Sequence, residues 1–453
     1  MKRFFLLVVA CCVLAPGVMA VDTHVFYRAG LMPDMPRHYS GSTKNDDKTQ
    51  PIQVVLRVAS GSTRDAFDGH EKKTALFNAH GAFDVLRLGN NLQDLTGKQE
   101  TSSLWNPTTG TWRANELTAL SASDGKIVYS GRFSTTDVSL IGQVPLFSGL
   151  YAQACVPFSK LTVDSIAFKN QGASTVKNIN IDTFMKTTLP LVLAENGINP
   201  IGDIRRDLSI GDPVLSVGWE GYSARLAPLV TEVAGYMQLG VSLPVADSAK
   251  QSVVFDLPHG YNGHLGCIGR GAIEANFFDW VTLGVQAGSS IFFPDRRDVP
   301  LKTDKAQNGW IVLEKVRVKE DFGSQWDVGG YLCITKIVKG LRALVGYTFT
   351  RQEATTYVVK DGNYLKDYRA AQLALPDGAV FVSQDDYANS DTRLQGWESQ
   401  VLRTALQVNT AEMFGSSLGA LAGIEYNIPI LGKYSWATDM TAGSLGCSFV
   451  LNF

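Results

Sequence analysis

Residues 264–277 read HLGCIGRGAIEANF, and residues 281–293 read VTLGVQAGSSIFF. In the first stretch one set of alternate positions is apolar or small, whereas the other set includes His264, Arg270 and Glu274. The second stretch alternates in the same way. A period of two is that of a β-strand whose two faces meet different surroundings. Because only a short Asp279-Trp280 turn separates them, the two stretches are predicted to form a hairpin.

The same alternation recurs in residues 233–245, 325–337, 341–350, 394–409, 418–428 and 444–453. These runs hold about 10 to 15 residues, whereas strands of soluble sheets hold about 5–6 and tilted membrane strands about 9–11. Aromatic residues such as Trp219, Trp280, Trp326, Trp397 and Trp436 stand near run ends, as interfacial girdles do. Length and aromatic placement both favour strands that cross a membrane.

Connection lengths between the predicted strands alternate. Barrels in outer membranes have short periplasmic turns and longer external loops. Counting back from a periplasmic C-terminus, the external connections are 430–438, 352–393, 294–323 and 247–261. The periplasmic ones are 410–416, 338–340, 278–280 and 224–232. The periplasmic connections are all short, so the pattern predicts an antiparallel up-and-down barrel.

The first half of the chain alternates less clearly. The strands predicted there are 52–60, 126–139, 144–157, 161–169, 174–183 and 213–223, with an external excursion at 184–212 that holds a short helix near 189–196. With the eight later strands the total is about fourteen, and twelve is the alternative. Residues 70–124 are either a large external loop or a plug-like segment folded into the lumen. The expected fold is all-β, with residues 51–453 as one barrel and only minor helix.

The N-terminus has the pattern of a secretory signal peptide. Lys2 and Arg3 precede an apolar run, and small residues end at Ala20, where we expect cleavage. Cys11 as a lipoprotein acceptor is the less favoured alternative. Residues 21–50 are expected to be a flexible mature N-terminus.

Composition excludes several other classes. The formal net charge of −2 becomes −4 once Lys2 and Arg3 are removed, so nucleic acid is an unsuitable partner. After residue 20, no uninterrupted apolar stretch approaches the ~18 residues of a membrane-spanning helix. The mature cysteines stand singly in strand-like segments and are expected to be free, buried or lipid-facing thiols, namely Cys155, Cys267, Cys333 and Cys447.

The last ten residues place an apolar side chain at every second position and end on an aromatic, with Leu445, Cys447, Phe449, Leu451 and Phe453 on one face. This segment resembles the terminal strand by which insertion machinery recognises Gram-negative outer-membrane β-barrels. The resemblance implies an outer-membrane location, with lipid and that machinery as partners. Strand number and the phrase GDPVLSVG at 211–218 are also similar to fatty-acid and aromatic-compound uptake barrels, but the plug sequence of those transporters has no match in 21–50. No subfamily is assigned.

Ionisable residues on membrane strands are expected to point into a watery lumen. The predicted lumen-facing residues are Arg57, Arg132, Glu220, His264, Arg270, Glu274, Gln286, Asp327, Arg342, Arg403, Glu425 and Asn427. Both charge signs occur, so strong ion selectivity is not expected of an open pore. The alternative is that these residues pair across the lumen and seal it.

Two motifs point to other chemistry. Residues 415–419 match the Gly-x-Ser-x-Gly pattern of serine hydrolases, but Ser417 lies in a predicted turn that leads into a strand instead of a helix. The pair His259 and His264, and the pair Asp46 and Asp47, have too few ligands for zinc or calcium. We therefore predict no catalytic residue, no metal and no cofactor.

Two functions are compatible with the sequence. The first is a passive channel or transporter for small solutes in the outer membrane. The second is a non-conducting structural or surface-display barrel whose external loops bind partners. The oligomeric state does not follow from the sequence.

Overall fold

The structure is a computed structural model of the whole chain. It describes residues 52–84, 105–106, 111–112, 126–147, 149–171, 182, 184–195, 197–224, 229–250, 252–278, 280–302, 311, 314–335, 338–360, 384–414 and 418–449. The predicted signal peptide, the residues to 50 and Ser417 lie outside these ranges.

Twelve long strands form the body of the molecule. We label them β1 (Ile52–Thr63), β2 (Lys126–Phe147), β3 (Leu150–Asn170), β4 (Val214–Ala224), β5 (Val230–Ser242), β6 (Gly266–Phe277), β7 (Val281–Phe292), β8 (Ser324–Thr335), β9 (Leu341–Gln352), β10 (Trp397–Asn409), β11 (Leu418–Lys433) and β12 (Asp439–Phe449).

Each strand pairs antiparallel with its neighbours in the sequence, and β12 pairs with β1 from Ile52 opposite Phe449 to Ser62 opposite Asp439. The sheet therefore closes on itself as an up-and-down barrel. The hairpin expected at residues 264–293 is present, with Gly266 opposite Phe292 and Phe277 opposite Val281. The all-β barrel predicted from the alternation is confirmed.

The barrel has twelve strands, the alternative number, instead of fourteen. The predicted strand 144–157 spans the turn between β2 and β3, and the predicted strand 161–169 is the continuation of β3. Apolar and polar residues alternate without a break through β2 and β3, so the residue pattern does not show where the turn between these two long strands lies. Of the predicted strand 174–183, only residue 182 is described, and it is helical.

The two ends of the barrel differ in their connections. At the short-turn end the strands are joined by 148–149, 225–229, 278–280, 336–340 and 410–417, and the last of these includes the helix Thr410–Phe414. At the long-loop end the connections are L1 (64–125), L2 (171–213), L3 (243–265), L4 (293–323), L5 (353–396) and L6 (434–438). This is the alternation that the connection lengths predicted.

The long loops carry secondary structure of their own. L1 contains Asp65–Phe67, Lys73–Ala75, the 3-10 helix Leu76–Asn78, Phe83–Asp84, Trp105–Asn106 and Thr111–Trp112; L2 contains the π-helix Phe184–Thr188, the α-helix Leu189–Glu195 and the strand Ile204–Ile210. L4 forms the hairpin Asp295–Leu301 and Glu314–Asp321, which pairs with Thr356–Val359 of L5. L5 also contains the helix Gln384–Asn389 and the 3-10 helix Thr392–Leu394, and Ser435–Trp436 of L6 pairs with L1. No helix in these described parts is long and apolar enough to cross a membrane.

A hydrophobic cluster lies at the long-loop end, where several loops meet the extended ends of β2 and β3. Phe77 of L1 stacks on Phe255 of L3 with ring centroids 4.0 Å apart, and Phe133 of β2 packs on Trp436 of L6 at 4.8 Å. A Cβ added at Gly131, on the inner face of β2, would lie 2.7 Å from Phe77. The described start of the 70–124 segment is therefore a loop that folds over the barrel mouth.

Gly149 forms the turn between β2 and β3 with φ +83°, a conformation that favours glycine. A Cβ there would also lie 2.1 Å from the Glu220 carbonyl oxygen. We predict that Gly149→Ala lowers the unfolding free energy by at least about 1 kcal/mol, measured as urea-dependent loss of heat-modifiable gel mobility. Gly142→Ala is the matched control, because nothing lies within 4 Å of its added Cβ. Equal stability of the two variants would contradict this account of the turn.

Candidate functional site

The interior of the barrel is the candidate functional site. In β1 the side chains of Gln53, Val55 and Arg57 are buried, whereas Val54 and Leu56 between them are exposed. The strand pairing carries this alternation round the barrel, so each strand has one face toward the lumen and one toward the surroundings. The lumen face is where polar side chains collect.

Charged residues of β1, β10 and β11 form one cluster on the lumen wall, which we call the Glu425 cluster. Glu425 accepts from Arg57 Nη2 at 3.1 Å and from Arg403 Nη2 at 2.7 Å. Asn427 Nδ2 donates to the same carboxylate at 2.7 Å. The Arg57 and Glu425 side chains are 5% and 10% exposed, so this ion pair is largely shielded from water.

A second cluster lies on β6 and β8. Arg270 Nη2 approaches Asp327 Oδ1 at 3.9 Å, and the Tyr331 hydroxyl donates to Glu274. These side chains reach across β7, where Gly284 and Gly288 occupy the intervening lumen positions. A Cβ at Gly284 would lie 2.2 Å from the Tyr331 ring, so glycine makes room for the contact.

Amide side chains line a third part of the wall. Gln238 Nε2 lies 3.1 Å from Gln153 Oε1 and 2.6 Å from Ser216 Oγ. Gln53, Gln143 and Asp137 are also buried on the lumen faces of β1 and β2. The sequence prediction missed this wall because it selected mainly charged residues. Counting every second residue from Arg57 or from Glu220 reaches Gln53 and Ser216 on the same strand faces.

The remaining predicted lumen residues lie as follows. Glu220, Gln286 and Arg342 occupy lumen-side positions of β4, β7 and β9, opposite Tyr236, Ala272 and Gln407. The prediction for Arg132 is wrong. Its neighbours Gly131 and Phe133 are buried and Arg132 is exposed, so it lies on the outer face of the long β2 extension.

His264 is on the lumen side of the barrel wall but does not line an open passage. It lies two residues before β6 begins, and its side chain is fully buried at the long-loop end. There it contacts Glu320 of L4. Trp397 and Trp436, predicted near an aromatic girdle, are likewise buried at this end.

The outer face of the barrel is apolar. Its exposed side chains include Leu56, Leu215, Leu239, Val285, Val328, Val345, Ile424 and Leu445. Within the C-terminal strand, Leu445 and Cys447 are exposed and the backbone of Phe449 pairs with Ile52 and Leu418. Leu451 and Phe453 lie outside the described residues. An exposed apolar surface of this extent needs lipid or another partner to cover it.

None of the four cysteines that the structure describes forms a disulfide. Cys155 is buried with Val55, Ile141 and Val214 in an apolar row of the lumen wall. Cys267 is exposed on the outer face of β6.

L4 covers part of the lumen at the long-loop end. Phe322, fully buried, stacks on the His264 ring at 4.9 Å and meets Phe292 edge-on at 5.3 Å. Its carbonyl oxygen accepts from Gln352 Nε2 at 3.2 Å, and Gln352 Oε1 accepts from Trp397 Nε1 at 3.1 Å. We call these five residues the mouth cluster.

A cleft of about 280 Å³ lies among L2, L3, L4 and L5. Glu320 and Arg297 line it, together with apolar residues such as Val299 and Leu394. Because Glu320 also contacts His264, the cleft is adjacent to the mouth cluster. Among the residues described, no three His, Cys, Asp or Glu side chains group so as to hold a metal ion.

L5 is attached to L4 through a buried carboxylate. Burial raises the pKa of Asp391, but the charge and hydrogen bonds of Arg393, with Lys302 nearby, outweigh this and lower its pKa below the ordinary value. Arg393 Nη2 also donates to the Pro300 carbonyl oxygen at 3.2 Å, and Lys302 Nζ donates to the Ser390 carbonyl oxygen at 3.0 Å. The loops over the mouth are therefore joined by charged groups.

Comparison with known proteins gives only distant likeness. No protein-family model matches the chain, and no curated protein matches it. The solved structures similar to it include the COG4313 outer membrane channel from Pseudomonas putida F1, at 8% identity and TM-score 0.45 over 90% of this chain and 100% of that one. The translocator domain of the autotransporter NalP from Neisseria meningitidis is 8% identical, with TM-score 0.33 over 95% and 100%. A Pseudomonas aeruginosa FadL homologue is 10% identical, with TM-score 0.31 over 96% and 100%.

These similar structures are outer-membrane β-barrels, the class that the C-terminal segment resembles. At such identities and TM-scores they carry no argument about what this chain transports or binds. The strand pairing, with β12 next to β1, shows that the chain forms a barrel.

We predict that Glu425→Ala lowers the unfolding free energy by about 1–3 kcal/mol, because it removes the carboxylate shared by Arg57 and Arg403 from a shielded site. Denaturant titration of the refolded barrel measures the change. Arg351→Ala is the control, since its ion pair with Glu398 is half exposed and surface pairs contribute about 0–1 kcal/mol. A cost for Glu425→Ala no larger than the control's would contradict the proposed role of the cluster.

We predict an acid-dependent contribution from Asp391. A carboxylate with a lowered folded pKa stabilises the fold above its unfolded pKa, and this contribution is lost as pH falls through the folded value. The melting temperature of the native chain should therefore exceed that of Asp391→Asn at pH 7, and the difference should shrink below about pH 4. A difference independent of pH down to pH 2 would contradict this role. Asp298→Asn, in an exposed pair with Arg317, is the control.

Proposed function

We propose that the chain forms a passive channel for small polar solutes in the outer membrane. The observation that carries this is the separation of surfaces: an apolar outer face surrounds a lumen wall of Arg, Glu, Asp and Gln side chains. Water and solutes in a passage require a polar interior; sealed barrels have polar interiors too, so the conductance measurement below decides between them. Export by the predicted signal peptide and insertion through the C-terminal strand belong to the same proposal.

The passage is narrow. About eight strands give an interior that side chains fill, whereas 16–18 strands leave a wide aqueous channel. Twelve strands fall between these limits, and large side chains such as Arg57, Arg403 and Tyr331 occupy part of the space. The solutes that fit such a lumen are small.

Ion selectivity is expected to be weak. The Glu425 cluster has two guanidinium groups and one carboxylate, whereas the β6–β8 cluster has one guanidinium and two carboxylates. The formal charges of the two clusters, +1 and −1, cancel. Strong selectivity requires rings of one charge sign.

The second candidate is a non-conducting barrel that displays its loops. Two observations favour it: lumen side chains pair with one another, and L1, L2, L4 and L5 are structured over the mouth. Conductance separates the candidates, because a sealed lumen passes no ions whatever the loops bind.

We predict steady single-channel conductance when the refolded chain, checked by heat-modifiable gel mobility, is inserted in a planar bilayer. The double variant Arg403→Ala with Glu425→Ala should raise the conductance because it removes two large side chains from the lumen. The single variant Glu425→Gln should shift selectivity toward anions because it removes one negative charge. Leu239→Ala, on the outer face, is the control and should change neither property.

A correctly folded barrel that does not conduct, even as the double variant, would contradict the channel and support the display function. An equal conductance of the double variant and the Leu239→Ala control would contradict the placement of the Glu425 cluster in the passage.

A further inference from the structure

His264 lies between two hydrogen-bond acceptors. Its Nδ1 is 3.1 Å from the Phe293 carbonyl oxygen, and its Nε2 is 2.9 Å from Glu320 Oε2. A carbonyl oxygen and a carboxylate oxygen both accept, whereas a neutral imidazole has one N–H, on either ring nitrogen, and donates to only one of them. The two observed contacts are therefore both hydrogen bonds only when the pair holds one further proton, on the imidazole ring or on the Glu320 carboxyl group.

Burial makes the His264 to Glu320 contact depend on that proton. The His264 and Glu320 side chains are 0% and 1% exposed, so water does not replace a lost hydrogen bond. The charged groups that face the pair are Arg297, whose Nε lies 2.6 Å from Glu320 Oε2, and Asp295, which lies 3.9 Å from Arg297 Nη2. Arg297 Nε and His264 Nε2 therefore contact the same Glu320 oxygen.

The pair joins L4 to the barrel wall. His264 lies two residues before β6, whereas Glu320 and Arg297 lie on the two strands of the L4 hairpin. Phe322, two residues beyond Glu320, packs on His264 within the mouth cluster. Loss of the His264 to Glu320 contact would therefore release the part of L4 that covers the lumen next to the cleft.

We propose that His264 and Glu320 form a proton-controlled latch that holds L4 over the lumen. The proposal rests on the channel function proposed above and adds its regulation. With the proton bound, the latch holds L4 in place. When rising pH removes the proton, His264 can donate to only one of Phe293 and Glu320, the contact that holds L4 weakens, and L4 moves away from the mouth. Histidine is the side chain that ordinarily changes its charge near neutral pH, so the channel opens as pH rises.

Two other buried histidines lie at the long-loop end, His80 and His259. His259 Nδ1 lies 3.0 Å from Ser159 Oγ, and a hydroxyl group can donate or accept, so this contact does not require a further proton. The His80 ring stacks on the Tyr434 ring with centroids 5.1 Å apart. Both histidines are kept in every variant below, so a difference between variants reports the latch pair.

Two variants separate the latch from other pH effects. In Glu320→Gln the amide can donate to the lone pair of a neutral His264 while its oxygen remains near Arg297, so L4 should stay closed at every pH. In His264→Phe the stacking on Phe322 is kept but no proton is bound, so L4 should show no pH response. Arg317→Gln, which removes an exposed ion pair in the same hairpin, is the control and should respond as the native chain does.

The experiment measures two quantities between pH 5 and 8.5. The first is the distance between spin labels at Lys319→Cys, exposed in L4, and Ser62→Cys at the rim of β1, with the four native cysteines changed to serine. The second is conductance in a planar bilayer. For the native latch the ratio of open to closed molecules should rise by up to about tenfold per pH unit as one proton leaves. Both variants should remove this rise.

The latch is overturned if the label distance is independent of pH in the native chain, or if Glu320→Gln responds as the native chain does. A distance that shifts with pH in a barrel that never conducts would contradict the channel function but support the latch as a switch of the loops. A conducting barrel whose L4 does not move would support the channel and contradict the latch.

Discussion

The pairing of β1 with β12 is the interaction on which the rest of the structure depends. It runs from Ile52 opposite Phe449 to Ser62 opposite Asp439 and joins the first strand of the barrel to the last. A bilayer offers no water to an exposed backbone N–H or C=O, and each unsatisfied group costs several kcal/mol. A sheet must therefore close on itself to be stable in lipid. The strand pairing of the closed sheet also determines which side chains face the lumen.

Closure has a second consequence for the charged residues of the strands. The charged side chains of the wall lie in two groups that each contain both charge signs, and the net charges of the two groups cancel. Glu425 between Arg57 and Arg403 is one group, and Arg270 with Asp327 belongs to the other. The same side chains that make the interior polar also narrow it. Transport and sealing thus depend on the same contacts, and loops such as L4 add a further restriction at the mouth.

Alternation of residue type predicted most of the barrel because lipid-facing strands have a strict period of two. The alternation located the hairpin 264–293. It also placed most charged lumen residues, because residues two positions apart lie on the same face of a strand. Strand number did not follow, because β2 and β3 alternate through the Gly149 turn and past the barrel rim. The contact of His264 with Glu320 is equally hidden from the sequence. It joins residues 56 positions apart through loop folding that no local pattern records.

If one strand face meets lipid and the other meets the aqueous lumen, a nitroxide scan along β5 in lipid vesicles, one cysteine at a time from Tyr236 to Val241, distinguishes the two faces. We predict that relaxation by oxygen, which concentrates in lipid, peaks at 237, 239 and 241, whereas relaxation by a water-soluble nickel complex never peaks there. Uniform access of the nickel complex at all six positions would contradict a membrane-spanning barrel.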